Sequence, residues 1–204
     1  MKKLFVLLTA LFITGAANAQ SPIRIGIKGG LNLPNIIKEN NNNNFSTKVN
    51  PGFNAGLTLD ISLIEGLALT PEVLYSTKGY KLSSSFGDFT QTTNFLDIPV
   101  LLSIRLAGTG LNVVAGPQVS FLLSTKNKFQ NGFGSVDQTI VEDDANRFKK
   151  NLIGGVIGLR YDINSNVDIH GRYAIDFQKN NENGSSRTPE YKNQVFSVGF
   201  GYKF

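Results

Sequence analysis

The sequence predicts an all-β chain, an eight-stranded antiparallel up-and-down transmembrane β-barrel. Three observations predict it. Stretches of about 9 to 12 residues alternate apolar side chains with small, polar or charged ones, and successive side chains on a strand point to opposite faces. That length is what a tilted strand needs to cross a hydrocarbon layer. The connections between the stretches alternate long and short along the chain, as in barrels with short turns on one side of a membrane and long loops on the other. None of the stretches carries Lys, Arg, Asp or Glu in its apolar class, where a charge at mid-bilayer costs roughly 2–4 kcal/mol.

The first strand sets Ile23, Ile25, Ile27, Leu31 and Leu33 against Arg24, Gly26, Lys28, Gly30 and Asn32, and ends at Pro34. A polar stretch over residues 35–50, with five asparagines at 40–44, reads as a loop. The second strand sets Phe53, Ala55, Leu57, Leu59 and Ile61 against Asn54, Gly56, Thr58 and Asp60. A short break at Ile64, Glu65 and Gly66 leads to the third, with Leu67, Leu69, Val73 and Tyr75 opposite Thr70, Glu72, Ser76 and Lys78. Residues 80–92 read as another polar loop.

The fourth strand alternates Leu96, Ile98, Val100, Leu102 and Ile104 with Asp97, Pro99, Leu101, Ser103 and Arg105. Gly108, Thr109 and Gly110 make a tight turn into the fifth, where Leu111, Val113, Ala115, Val119, Phe121 and Leu123 oppose Asn112, Gly116, Gln118, Ser120 and Ser124. The longest loop is expected over 126–147 and holds Glu142, Asp143 and Asp144. The sixth strand sets Ile153, Ile157, Leu159 and Tyr161 against Gly154, Gly158, Arg160 and Asp162. A turn at Asn164, Ser165 and Asn166 leads to the seventh, with Val167, Ile169, Tyr173, Ile175 and Phe177 against Asp168, His170, Arg172 and Asp176. After a polar stretch at 179–192, the last strand puts Phe196, Val198, Phe200, Tyr202 and Phe204 on one face.

A signal peptide is expected over residues 1–19 and the barrel domain over 20–204. Lys2 and Lys3 precede an apolar run over 4–13, and Ala17 and Ala19 supply the small residues of a cleavage site before Gln20. The run is far shorter than the roughly 20 residues of a spanning helix. Gln20 is not cysteine, so lipoprotein processing is not indicated. The chain has no cysteine, so an exported domain is held by hydrogen bonds and packing alone. The formal charge is +5, part of it from Lys2 and Lys3. The bases are scattered along the chain, which argues against nucleic acid as a partner.

Parity alone does not say which face is outside. A soluble barrel of the lipocalin type would turn the apolar set inward. The polar set is rich in glycine, at 26, 30, 56, 116, 154, 158, 199 and 201. Those gaps suit long charged chains in a narrow lumen, which the large apolar set would overfill. The apolar set is therefore expected to face lipid, and Tyr and Phe to form its interfacial girdles, since the chain has no Trp.

A lumen charge network is expected from Arg24, Asp60, Glu72, Asp97, Arg105, Arg160, Asp168 and Arg172. The same face carries Lys28, Lys78, Lys203, Asp162 and Asp176. Buried charges must be paired, so a cross-linked, plugged lumen is expected, with a narrow solute pathway as the alternative. His170 is the sole histidine, and no Ser–His pair lies along its strand. No enzyme, cofactor or metal site is expected; a lipid-modifying enzyme is the remote reading.

Several short motifs occur in order: Gly29-Gly30-Leu31-Asn32, Gly52-Phe53-Asn54-Ala55-Gly56, the run from Pro71-Glu72-Val73-Leu74-Tyr75 to Ser76-Thr77-Lys78-Gly79, Leu96-Asp97-Ile98-Pro99-Val100, and Ala115-Gly116-Pro117. On these the chain resembles the porin-like, PorT-like outer-membrane β-barrel domain family of Gram-negative bacteria. The resemblance implies an outer-membrane barrel without implying a substrate. It also implies contact with outer-membrane lipid and lipopolysaccharide. Phe200, Tyr202 and Phe204 look like the C-terminal signal read by the outer-membrane assembly machinery. Long loops would face an extracellular partner of unknown kind. The functions expected are a structural or surface-interaction protein, or alternatively a narrow porin-like channel.

Overall fold

A computed structural model describes residues 23–38, 47–84, 87–131, 134–141, 151–180 and 191–204. All regular structure among them is strand: β1 (Ile23–Lys38), β2 (Thr47–Val49), β3 (Gly52–Ile64), β4 (Leu67–Ser84), β5 (Gly87–Arg105), β6 (Leu111–Asn131), β7 (Gly134–Val141), β8 (Asn151–Asp162), β9 (Val167–Asp176) and β10 (Tyr191–Lys203). They form one antiparallel sheet. β1 pairs with β3, then β4, β5, β6, β8, β9 and β10 follow in turn, and β10 pairs back with β1.

The expected count of eight strands is corrected to ten among the described residues. β2 is a three-residue strand on the upper part of β4, and β7 pairs with β6. The loop expected at 80–92 is also corrected. β4 and β5 stay paired from Leu67↔Ile104 up to Ser84↔Gly87. Likewise β6 runs on to Asn131 inside the stretch read as the longest loop, and β1 passes Pro34 to Lys38. The physical reason is shared. Above the apolar belt neither face touches oil, so the outward residues become Lys, Thr, Asn and Ser and the alternation that marks a strand disappears. The backbone hydrogen bonds do not need that alternation. The proposed signal peptide, the asparagine run at 40–44 and the acidic run at 142–144 lie outside the described residues.

The short connections are tight, as expected. Gly66 and Gly108 take φ of 78° and 73°, a left-handed backbone open to glycine without strain. The Arg105 amide donates to the Gly66 carbonyl at 2.8 Å, joining two neighbouring turns. At the third turn the Asn164 side-chain oxygen accepts from the amides of Asn166 and Val167, both at 2.8 Å.

Burial is inverted relative to a water-soluble protein. Leu31, Phe53, Leu57, Ile157, Leu159, Phe196, Val198 and Phe200 are exposed, Phe200 to 68%. Lys28, Asp60, Glu72, Lys78, Asp97, Arg160, Asp168, Arg172, Asp176 and Lys203 are buried. Soluble proteins almost never bury such groups, and rarely expose contiguous oil on this scale. The interior is not wholly polar. Leu101, Val114, Val156 and Ala174 pack together within it, and Phe95 is fully buried with the Lys78 ammonium 4.7 Å from its ring centre.

Candidate functional site

The buried charges fall into three groups stacked along the strands. The lowest lies near the short turns. Arg160 on β8 donates from one nitrogen to both Asp60 oxygens, at 3.1 and 3.2 Å. The Lys203 ammonium bridges Asp60 at 2.9 Å and Asp162 at 3.1 Å, and stands 3.8 Å from Asp168. Thr70 completes the shell by donating to Asp60 at 2.7 Å.

The middle group centres on Glu72. Arg172 grips it with two parallel bonds of 2.6 and 2.8 Å, the fork geometry that makes guanidinium–carboxylate pairs strong. Lys28 reaches the same carboxylate at 2.8 Å, and the Glu72 residue is 2% exposed. The upper group holds Lys78, 3.0 Å from Asp97 and 4.0 Å from Asp176, with Asn193 donating to Asp176 at 2.7 Å.

Glycine makes room for these chains. A Cβ at Gly201 would sit 2.5 Å from the Asp168 carboxylate, and one at Gly199 would sit 2.9 Å from the His170 ring. The cross-strand partners are Gly201↔Asp168 and Gly199↔His170. A bare position on β10 thus faces both Asp168 and His170 on β9.

Of the eight residues expected in the network, six are buried within it: Asp60, Glu72, Asp97, Arg160, Asp168 and Arg172. Two are not. Arg24 is partly exposed and donates to the Ser165 carbonyl at 2.8 Å. Arg105 pairs with Asp162 at 3.2 Å, but its side chain is 50% exposed. Both sit at the ends of strands beside the short turns, where alternation still points them inward but the wall stops. Lys28, Lys78, Lys203 and Asp176 complete the ion pairs. Each of them shares the parity of the expected set, which is the signal that finds them.

His170 Nδ1 lies 3.2 Å from Asp168 Oδ1, so its partner is a carboxylate and not a serine. Among the described residues no group of three or more His, Cys, Asp or Glu could hold a metal. The described residues hold no nucleophile–base pair around His170, and the chemistry available to the stack is ion pairing.

A cavity of about 40 Å³, close to the volume of one water, lies among Asn32, Ser76, Lys78, Asp97 and Arg172. A wider recess of about 280 Å³ opens at the turn end beside Arg24, Asp60, Arg105 and Arg160. A depression of about 930 Å³ is found elsewhere. It lies over Gly171 between exposed apolar chains such as Leu159, Ile169, Val198 and Phe200.

Charge turned in and oil turned out define a membrane β-protein rather than a soluble carrier. The chain belongs to the family described as "outer membrane protein beta-barrel domain", whose model matches residues 18–182. It is a barrel-type outer-membrane protein of the Gram-negative cell envelope. The match is to this broad family and not to a porin or PorT subgroup. No curated protein matches the chain. Among solved structures, Ail, the attachment invasion locus protein of Yersinia pestis, in complex with the heparin analogue sucrose octasulfate, is similar at 15% identity and a TM-score of 0.51. That likeness covers 89% of this chain and 99% of Ail. Neisserial surface protein A is 15% identical over 90% of this chain and 98% of its own, with a TM-score of 0.47.

Proposed function

We propose that eight of the strands, β1, β3, β4, β5, β6, β8, β9 and β10, close into an up-and-down barrel that spans the outer membrane with a plugged lumen. Its role is structural or surface-interacting and not catalytic. The observation that carries this reading is the stack of ion pairs itself. Glu72 is held by Lys28 and Arg172 at mid-height beside a cavity of only about 40 Å³, which supports a lumen occupied by side chains. An interior of eight strands is just wide enough for side chains to fill.

In this reading residues 1–19 are a signal peptide removed on export, and 20–204 form the barrel. Phe200, Tyr202 and Phe204 face lipid at the end of β10 and serve as the assembly signal. All three are exposed, and the rings of Tyr202 and Phe204 meet edge to face at 5.3 Å. The partners are outer-membrane lipid, lipopolysaccharide and the assembly machinery. The end of the sheet away from the short turns faces the outside of the cell.

Two measurements test it. Purified, refolded protein is expected to change gel mobility on boiling, as detergent-resistant barrels do. Constant mobility would return the chain to the soluble alternative. In planar bilayers the protein is expected to give no steady conductance. Reproducible single-channel steps would replace the plug with the narrow-channel reading.

A further inference from the structure

We propose that an outer wing built by β2, β4, β5 and β6 docks the phosphate groups of lipopolysaccharide through Lys48, Lys81, Lys126 and Lys128. The inference rests on the membrane reading above and adds which lipid feature is held, and where. These lysines are far apart in sequence, but pairing gathers them. Lys48 stands opposite Lys81, Lys81 opposite Thr90, and Thr90 opposite Lys128. Lys126 stands opposite Thr92 one step lower on the same face. Lys48, Lys81 and Lys126 are exposed and Lys128 is half-buried.

Height selects the partner. The apolar belt on this side ends at Tyr75, Leu96 and Phe121, neighbours across three strands, with exposed Leu123 at the bulge just above Phe121. Directly above it a polar row begins. Thr77 donates to the Asn94 side-chain oxygen at 3.1 Å, and Asn94 donates to the Ser124 hydroxyl at 3.0 Å. Lys126 lies two residues above that row, and Lys81 and Lys128 four. At about 3.3 Å per residue and a strand tilt near 40°, this is roughly 5 and 10 Å beyond the hydrocarbon edge. The headgroup layer on each side is about 5–7 Å deep. A lysine chain spans the difference by bending its ammonium toward the interface.

Charge selects it too. Asp88 is exposed on the same wing as Lys48 and Lys81. Lys48 and Lys81 are directly opposed like charges, an arrangement that destabilises an antiparallel pair. Among the described residues neither has an acidic partner. An anion of more than one charge between them removes the repulsion, and phosphates at this depth supply one.

The test uses refolded protein in phosphatidylcholine vesicles containing either bis-phosphorylated lipid A or lipid A stripped of its phosphates, read by native mass spectrometry of bound lipid. The unaltered chain is expected to bind the phosphorylated form about tenfold or more tightly than the stripped form. The quadruple variant K48Q/K81Q/K126Q/K128Q is expected to lose the preference, and the quadruple arginine variant to keep it. Both variants are expected to shift in gel mobility on boiling like the parent. Equal binding of the two lipids by the parent overturns the proposal while leaving the barrel standing. So does capture of a heparin fragment without any lipid A preference, which would assign the wing to an extracellular glycan. A parent chain with no heat-dependent shift overturns the membrane reading itself.

Discussion

Replacing Glu72 with Gln leaves the shape of the middle layer intact and removes its only carboxylate. The variant keeps two buried cations, Lys28 and Arg172, that shared that one anion. Three charge-assisted hydrogen bonds of 2.6, 2.8 and 2.8 Å become weaker neutral ones or are lost. Hydrogen bonds to charged groups contribute about 1.5–3 kcal/mol each. Their sum is an upper bound, because the amide still accepts one bond. Breaking a buried pair by removing one partner costs about 3–5 kcal/mol, and that is the expected loss here. The assay is urea unfolding in phospholipid vesicles, followed by the heat-modifiable gel band and by circular dichroism, since the chain has no tryptophan. Pairing Glu72→Gln with Arg172→Met removes one stranded cation. The double variant is therefore expected to lose clearly less than the sum of the single losses. A Glu72→Gln loss below about 1 kcal/mol would refute the reasoning, because it would mean water reaches the layer and already screens it.

Other consequences follow from particular positions. Arg24→Ala should change stability by less than about 0.5 kcal/mol in the same assay, since its side chain is solvated at the rim. Gly201→Ala should cost about 1–3 kcal/mol, because a methyl would stand 2.5 Å from the Asp168 carboxylate; an unaltered unfolding midpoint would show that Asp168 is mobile. The chain has no cysteine, so single labels are clean. Labels on Leu57→Cys and Phe200→Cys should be quenched by brominated lipid tails, and one on Lys81→Cys should not; the reverse pattern would turn the barrel inside out. Above the belt, burial pushes the Tyr80 phenol up from 10.0 to about 12. The folded state therefore holds a proton that the unfolded chain gives up. Stability is full below pH 10 and falls by roughly 2–3 kcal/mol as pH rises toward 12. Tyr80→Phe should flatten that fall in alkaline unfolding curves, and an identical fall in the variant would assign it to another group.

The apolar belt, the short turns and the inward direction of six of the eight residues, which are buried, were legible in the sequence. Period-two alternation is a local signal that needs no knowledge of neighbours. It placed Glu72 and Arg172 on one face although a hundred residues separate them in the chain. The same signal failed above the belt, where Lys81, Thr90 and Lys128 alternate with nothing apolar outside. There the hairpins were read as loops. It also failed at Arg24 and Arg105, since parity gives direction but not how far the wall extends.

Direction of each side chain along a strand follows from backbone stereochemistry, so the sequence by itself determined which residues share a face and that one face is oil. Which acid meets which base is a matter of register between strands. Only the tertiary structure decided that Glu72 holds both Lys28 and Arg172, that Asp60 joins Arg160 to Lys203, and that four scattered lysines meet on one wing. Register is fixed by hydrogen bonds between distant segments and by glycines such as Gly199 and Gly201 that admit a neighbour's bulk. Such pairings are properties of two strands at once, and no single stretch of sequence contains them.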